Sequence, residues 1–357
     1  MIEGILVEGL IYGILALGVF ISFRVLDFAD LTVEGSFPAG AAAAAAIVTA
    51  AGRGNAAAAA GAPFAAGSAW TASPALAALV PVFAVVAGFA AGGLAGFATS
   101  LIHHKLKVPP LLAGIVTMTG FYSINLRILG GKPNLPLIRN NPLLAAARSW
   151  LGEAVPPDLA LLAAALLAAL AVVALLDLFF HTETGIAMGA LGDNETAVIQ
   201  AGVNPAGLRT LGIVLANGLA GLSGALAASY QGFADVNFGA GVIAAGIASV
   251  MLGELVLRSQ FISPQLFRVL LGSILFRALM YAARSWGYFA GITPNDLRLL
   301  TALLIVGAIS LSNYAGKRRK ASMGTSADRQ PRSVVSAGEP PKPQAGPGAG
   351  SSKGGAA

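Results

Sequence analysis

The chain has 357 residues, of which 56% are apolar and only 11% charged, with 45 glycines and no cysteine. Soluble domains carry about 25% charged residues, so this balance excludes an ordinary water-soluble fold. The net charge of +6 invites a nucleic-acid partner, but Lys317, Arg318, Arg319, Lys320, Arg329, Arg332, Lys342 and Lys353 face only Asp328 and Glu339 after residue 316 and account for all of it.

A bilayer core about 30 Å thick needs roughly 20 apolar residues at helical rise. Nine runs meet or approach that length: residues 3–23, 37–52, 75–101, 109–129, 159–180, 209–231, 240–257, 265–282 and 295–313. The predicted fold is therefore all-α, a polytopic membrane helix bundle of about nine spans. Residues 1–316 form its transmembrane domain, and residues 317–357, rich in Pro, Gly, Ser and Lys, read as a disordered basic tail. The N-terminus, with Glu3 and Glu8, lacks the basic region of a signal peptide, so the first run is expected to remain. Lys317 to Lys320 place the C-terminus in the cytoplasm by the positive-inside rule. Counting back puts the His103-His104-Lys105 turn and the 181–208 loop inside and the N-terminus outside. The loop at 130–158, with Lys132, Arg139 and Arg148, runs against that orientation.

Glycine spacing points to close helix contacts. Gly9 and Gly13 form one GxxxG step, and Gly88, Gly92 and Gly96 form two more, a spacing that lets backbones approach where apolar burial gives no net drive.

Two polar breaks interrupt the apolar pattern. The first, Asp27-Phe28-Ala29-Asp30-Leu31-Thr32-Val33-Glu34, carries three acids beside Arg24. An acid at a helix centre costs ~2.5–3.5 kcal/mol on insertion scales and needs a reason to stay. Such a break is a candidate pathway wall or gate, or else a charged connecting loop. The second break, Phe233-Ala234-Asp235-Val236-Asn237, repeats Phe-Ala-Asp ahead of a Gly/Ala-rich run on the other side of the membrane. Short half-helices and an inverted repeat would produce that arrangement.

The loop after the fifth run, residues 181–208, contains no Lys or Arg. It suggests two short helices, near 185–191 and 194–201, around the turn Gly192-Asp193-Asn194, with Asp193 or Asn194 capping the second. A short protruding helix of this kind suits docking into a partner's groove. The chain has no P-loop, HExxH or GxSxG pattern, and its histidines are only His103, His104 and His181, so catalysis, a cofactor and a metal site are not expected.

These segments carry a resemblance. Ala16-Leu17-Gly18-Val19-Phe20 leading into Asp30-Leu31-Thr32-Val33-Glu34-Gly35-Ser36, the turn Gly189-Ala190-Leu191-Gly192-Asp193-Asn194-Glu195-Thr196-Ala197, and Leu219-Ala220-Gly221-Leu222-Ser223-Gly224 together resemble ATP-binding-cassette importer permeases of the branched-chain amino acid and ribose type. The chain departs from that pattern at Leu191, where an arginine is common, and at Glu34, which ribose-type members lack. The first break is similar to a single-permease branch found with tryptophan- or tyrosine-type binding proteins. The resemblance implies a permease homodimer in the bacterial plasma (inner) membrane, a cytoplasmic ATPase and an external substrate-binding protein. It implies ATPase coupling at Gly189, Gly192, Asp193, Asn194, Glu195 and Ala197. It further implies a pathway past Asp27, Asp30, Glu34 and Asn217, and binding-protein contact or an outer vestibule at Asp235 and Asn237. A different class, a proton-coupled secondary transporter, would use Asp30, Glu34 or Asp177; a structural scaffold would use none of them.

Overall fold

The computed structural model describes residues 2–59, 74–137, 156–257, 259, 261–289 and, beyond these, 299, 302–303, 305–307 and 310. The expected tail lies outside the described residues, as does most of the ninth run. Every element given below belongs to the first unit of the chain, Met1–Ala315.

The helices, in order, are α1 Ile2–Val19 continuing as a π-helix over Phe20–Val25, α2 Val33–Ala59, α3 Pro74–Leu106, α4 Pro110–Ile128 and α5 Pro157–Phe180. Then come α6 Glu183–Asp193, α7 Glu195–Gln200, α8 Pro205–Gln231, α9 Val242–Val256 and α10 Ile262–Phe289. Among the described residues, seven helical segments are long and apolar enough to cross a membrane, and Val242–Val256 is a shorter apolar helix. The first eight expected runs each fall on one of these, with boundaries moved by a few residues at most. Prolines open α4, α5 and α8, at the first turn where the missing N–H would have no helical acceptor anyway. Among the described residues the non-helical exception is a ribbon of β1 Asn134–Pro136 and β2 Phe233–Asp235, paired antiparallel with Asn134 opposite Asp235.

α8 is the hub, packed against α1, α2 and α3, and it is mostly buried, as is α1, whereas α4 and α5 are mostly exposed. On α5 the uncovered side chains are leucines such as Leu166, Leu167, Leu170 and Leu178, the surface a helix presents to acyl chains. The expected glycine seam lies between α3 and α8. A Cβ at Gly92 would run into the Asn217 carbonyl oxygen and the Gly221 backbone, and one at Gly88 into Ala225. Gly9 and Gly13 meet Ile274 and Leu270, so the second GxxxG step brings α1 onto α10. Close backbone approach maximises dispersion contact, which is what drives helix association in lipid.

Several charges within the spans are paired. Arg277 of α10 reaches Glu8 of α1 at 3.5 Å and lies 3.5 Å over the Tyr12 ring. Glu254 of α9 takes Arg24 at 3.2 Å and Arg268 at 3.1 Å on the same oxygen, tying the π-helix to α9 and α10.

Candidate functional site: a docking segment, a buried lock and a cavity

The docking segment is built from the end of α5 onward. Thr182 caps α6 by accepting from Gly185 N at 3.3 Å. Asn194 closes α6 and caps α7 by accepting from Ala197 N at 3.1 Å. Of the two expected capping residues, Asn194 is therefore the one that caps. Gly185, Met188 and Leu191, spaced by three, turn inward. Gly192 lies so close to the Val25 carbonyl oxygen at the end of the π-helix that a side chain there would collide with it. The inner face of α6 thus rests on the π-helix and the first turns of α8. The outer surface carries Ile186, Asp193, Asn194, Glu195, Ala197 and Ile199, all exposed, while nothing lies within 4 Å of where a Cβ at Gly189 would be. Arg209 of α8 holds Glu195 at 3.1 Å and fixes α7 in place; the sequence pattern alone gave no sign of that contact.

The first break follows the π-helix directly. Asp27 ends it in the left-handed region, at φ 50°, a conformation that short polar side chains tolerate, and its side chain is exposed. Three residues later the chain is fully buried. Asp30 Oδ1 accepts from Thr32 N at 2.8 Å, and its Oδ2 accepts from Asn217 Nδ2 at 2.5 Å. Asn217 Oδ1 accepts from Ser36 Oγ at 2.7 Å, and the Thr32 and Thr99 hydroxyls meet at 2.6 Å. Asp30, Thr32, Ser36, Thr99 and Asn217 are all 0% exposed. They stitch the break to α2, α3 and α8. The sequence reading places Asp27, Asp30, Glu34 and Asn217 together on a pathway, but the structure separates them. Asp30 and Asn217 form a closed lock, Asp27 lies at the surface, and Glu34 faces a cavity.

That cavity, of about 260 Å³, is lined by Glu34, Gly35 and Pro38 of α2, by Met118, Thr119, Tyr122 and Asn125 of α4, and by Val236, Asn237 and Ala240 after β2. The two broken segments meet here. Glu34 Oε1 accepts from Gly241 N at 3.1 Å, and the Glu34 carbonyl fills the space a side chain at Gly239 would need. The two Phe-Ala-Asp copies also share a local device. Asp235 Oδ1 accepts from Asn237 N at 2.7 Å, two residues on, as Asp30 does from Thr32 N. Asp235 and Asn237 sit beside the ribbon, where Asn134 Nδ2 donates to Asp235 Oδ2 at 3.2 Å. The α4 contribution escaped the sequence reading, although a lone asparagine in an apolar span was a usable signal.

The remaining candidates are accounted for locally. His103 Nδ1 is 2.7 Å from the Val108 carbonyl oxygen and stabilises the end of α3. Asp177 lies 3.8 Å from His181 at the end of α5. Among the described residues no group of three metal-ligating side chains occurs.

Comparison with known proteins agrees with this architecture. The family described as "Branched-chain amino acid transport system / permease component" matches residues 1–309. The tyrosine transport system permease protein of Clostridioides difficile is 32% identical over 312 residues, covering 87% of this chain and 91% of its own length. An uncharacterised protein of Rickettsia prowazekii is 28% identical over 302 residues, covering 84% and 92%. The ribose import permease protein RbsC of Bacillus subtilis is 29% identical over 194 residues, covering 54% and 58%. No solved structure matches. An integral, multi-pass chain of apolar helices, matched by that family over nearly all of its described length, belongs to the branched-chain amino acid transport system permease family, the membrane-spanning components of ATP-binding-cassette importers.

Proposed function

We propose that this chain forms one half of a homodimeric pore in a bacterial plasma membrane and imports an amino acid, with an aromatic one favoured by its tyrosine permease relative. A separate cytoplasmic ATPase docks on the α6–α7 segment, and an external binding protein delivers the solute beside Asp235 and Asn237. In this orientation the C-terminus is cytoplasmic. Residues 1–316 are the permease domain, and the basic tail at 317–357 lies near anionic lipid.

The observation that carries the reading is the seating of α6. One face, with Gly192 against Val25, is packed on the π-helix and α8, and the outer surface of α6 and α7, with Gly189, Asp193, Asn194, Glu195 and Ala197 along it, is left for a partner. π-Helical turns inside α-helices occur frequently at functional sites. Motion of an ATPase under α6 would press on Val25 and pass to the Asp30–Asn217 lock. From there it would reach α2, α3 and α8, the rigid bodies that rock to switch access. The chain supplies the route and the ATPase supplies the chemistry.

The test is the paired substitution Asp193→Arg with Asn194→Arg. Both side chains are exposed and outside the core, and loss of the Asn194 cap costs α7 about 1 kcal/mol, so the fold of the bundle should survive. ATPase co-purification and ATP-driven uptake in proteoliposomes should both fall by at least about tenfold, about 1.4 kcal/mol of lost docking energy. Intact association and uptake would overturn the docking assignment.

A further inference from the structure

The cavity where the two breaks meet offers acceptors. Glu34 brings a carboxylate, with one oxygen engaged by Gly241 N–H. Asn125 spends its amide Nδ2 on the Gly35 carbonyl at 3.3 Å, and its Oδ1 is buried without a hydrogen-bond partner. Asn237 commits both its backbone N and its Nδ2 to Asp235 Oδ1, at 2.7 and 3.1 Å. Thr119 donates its hydroxyl proton to the Ile115 carbonyl at 2.8 Å. No Lys, Arg or His is among the lining residues. Each of these asparagine amides and the Thr119 hydroxyl turns a donor elsewhere, and the acceptors left at the wall are the second Glu34 oxygen and Asn125 Oδ1; Tyr122 with its hydroxyl, Met118, Pro38 and Val236 make up much of the rest.

A buried acceptor left unpaired is costly, and an unpaired amide oxygen beside a carboxylate is complementary to a group that is all donors. A primary ammonium has three donors and no acceptor, and the Tyr122 ring adds a surface on which a cation is attracted. We infer that this cavity is a cation-selecting station on the pathway that receives the ammonium end of the solute. Glu34 supplies the charge, and Asn125 Oδ1 supplies the neutral acceptor. The inference rests on the permease reading above and adds which end of the solute the chain itself reads.

The absence of cysteine in the chain makes a direct test possible. Thr119→Cys places a single thiol on the cavity wall of the full-length protein in nanodiscs. Its rates with the trimethylammonium-ethyl and sulfonatoethyl methanethiosulfonates are then measured relative to a free thiol. The cationic reagent should be favoured about tenfold by one partly screened carboxylate. The preference should vanish when Glu34→Gln is added and persist with Glu34→Asp. Tyrosinamide, which keeps the ammonium, should slow labelling, whereas 3-(4-hydroxyphenyl)propionate, which lacks it, should not. In Asn125→Leu the protection by tyrosinamide should fall severalfold while the charge preference remains. Equal normalised rates for the two reagents, or a preference unchanged by Glu34→Gln, would overturn the inference. Labelling needs neither ATPase nor binding protein, so its failure is distinguishable from failure of the docking experiment.

Discussion

Asn217→Ala tests the lock between the first break and α8. Asn217 is fully buried; its Nδ2 donates to Asp30 Oδ2 at 2.5 Å and to the Ile213 carbonyl at 3.0 Å, and its Oδ1 accepts from Ser36 at 2.7 Å. Truncation leaves an Asp30 carboxyl oxygen without that partner where no solvent reaches, while the Ser36 hydroxyl keeps the Thr32 carbonyl at 3.0 Å. Each orphaned buried group costs ~1–3 kcal/mol, the carboxyl at the upper end. Side-chain hydrogen bonds between transmembrane helices average only ~0.6 kcal/mol, with a maximum near 1.7, because the unfolded chain in the membrane also finds partners. Setting one range against the other, the single substitution should cost about 2–3 kcal/mol. The coupling with Asp30→Ala in a double-mutant cycle should be about 1–1.5 kcal/mol. Reversible unfolding in mixed detergent–dodecyl sulfate micelles, followed by circular dichroism, gives both. Additivity within about 0.3–0.5 kcal/mol would mean that the pair does not hold the break. Full stability with abolished uptake would return Asp30 and Asn217 to the pathway.

Three further substitutions probe the packing that positions the site. Gly92→Leu drives a side chain into the Asn217 carbonyl and the Gly221 backbone, neither of which can move without separating α3 from α8. It should abolish monodisperse protein on size-exclusion chromatography, whereas Gly120→Ala, with nothing within 4 Å of the new methyl group, should gain up to about 1 kcal/mol from helix propensity. Gly192→Val pushes α6 off the Val25 carbonyl. The ATPase should still bind, but transport per ATP hydrolysed should fall severalfold, and unchanged coupling would remove the π-helix from the transmission route.

Much of this molecule was legible because lipid imposes simple rules. Long apolar runs mark spans, and the GxxxG steps at Gly88, Gly92 and Gly96 mark a seam. The Gly192-Asp193-Asn194 turn marks a helix boundary by its capping chemistry. Each of these signals is local, a run or spacing of a few residues that one helix satisfies by itself. The π-helical ending of α1 was not legible; there Val25 and Leu26 meet Gly192 and Gly212 from elsewhere in the chain, contacts that no local pattern encodes.

The sequence by itself determined a polytopic helical bundle, its packing glycines, the short-helix segment around Gly192-Asp193-Asn194 and the presence of acids in two breaks. Only the tertiary structure decided what those acids do. Asp30 and Glu34 are four residues apart, yet one is sealed by Asn217, which lies 187 positions away, and the other opens onto a cavity completed by Asn125 and Asn237. In a membrane, helices are apolar on every side, so periodicity does not say which face meets protein. A carboxylate becomes a lock or a lining group according to which neighbouring helix brings it a donor.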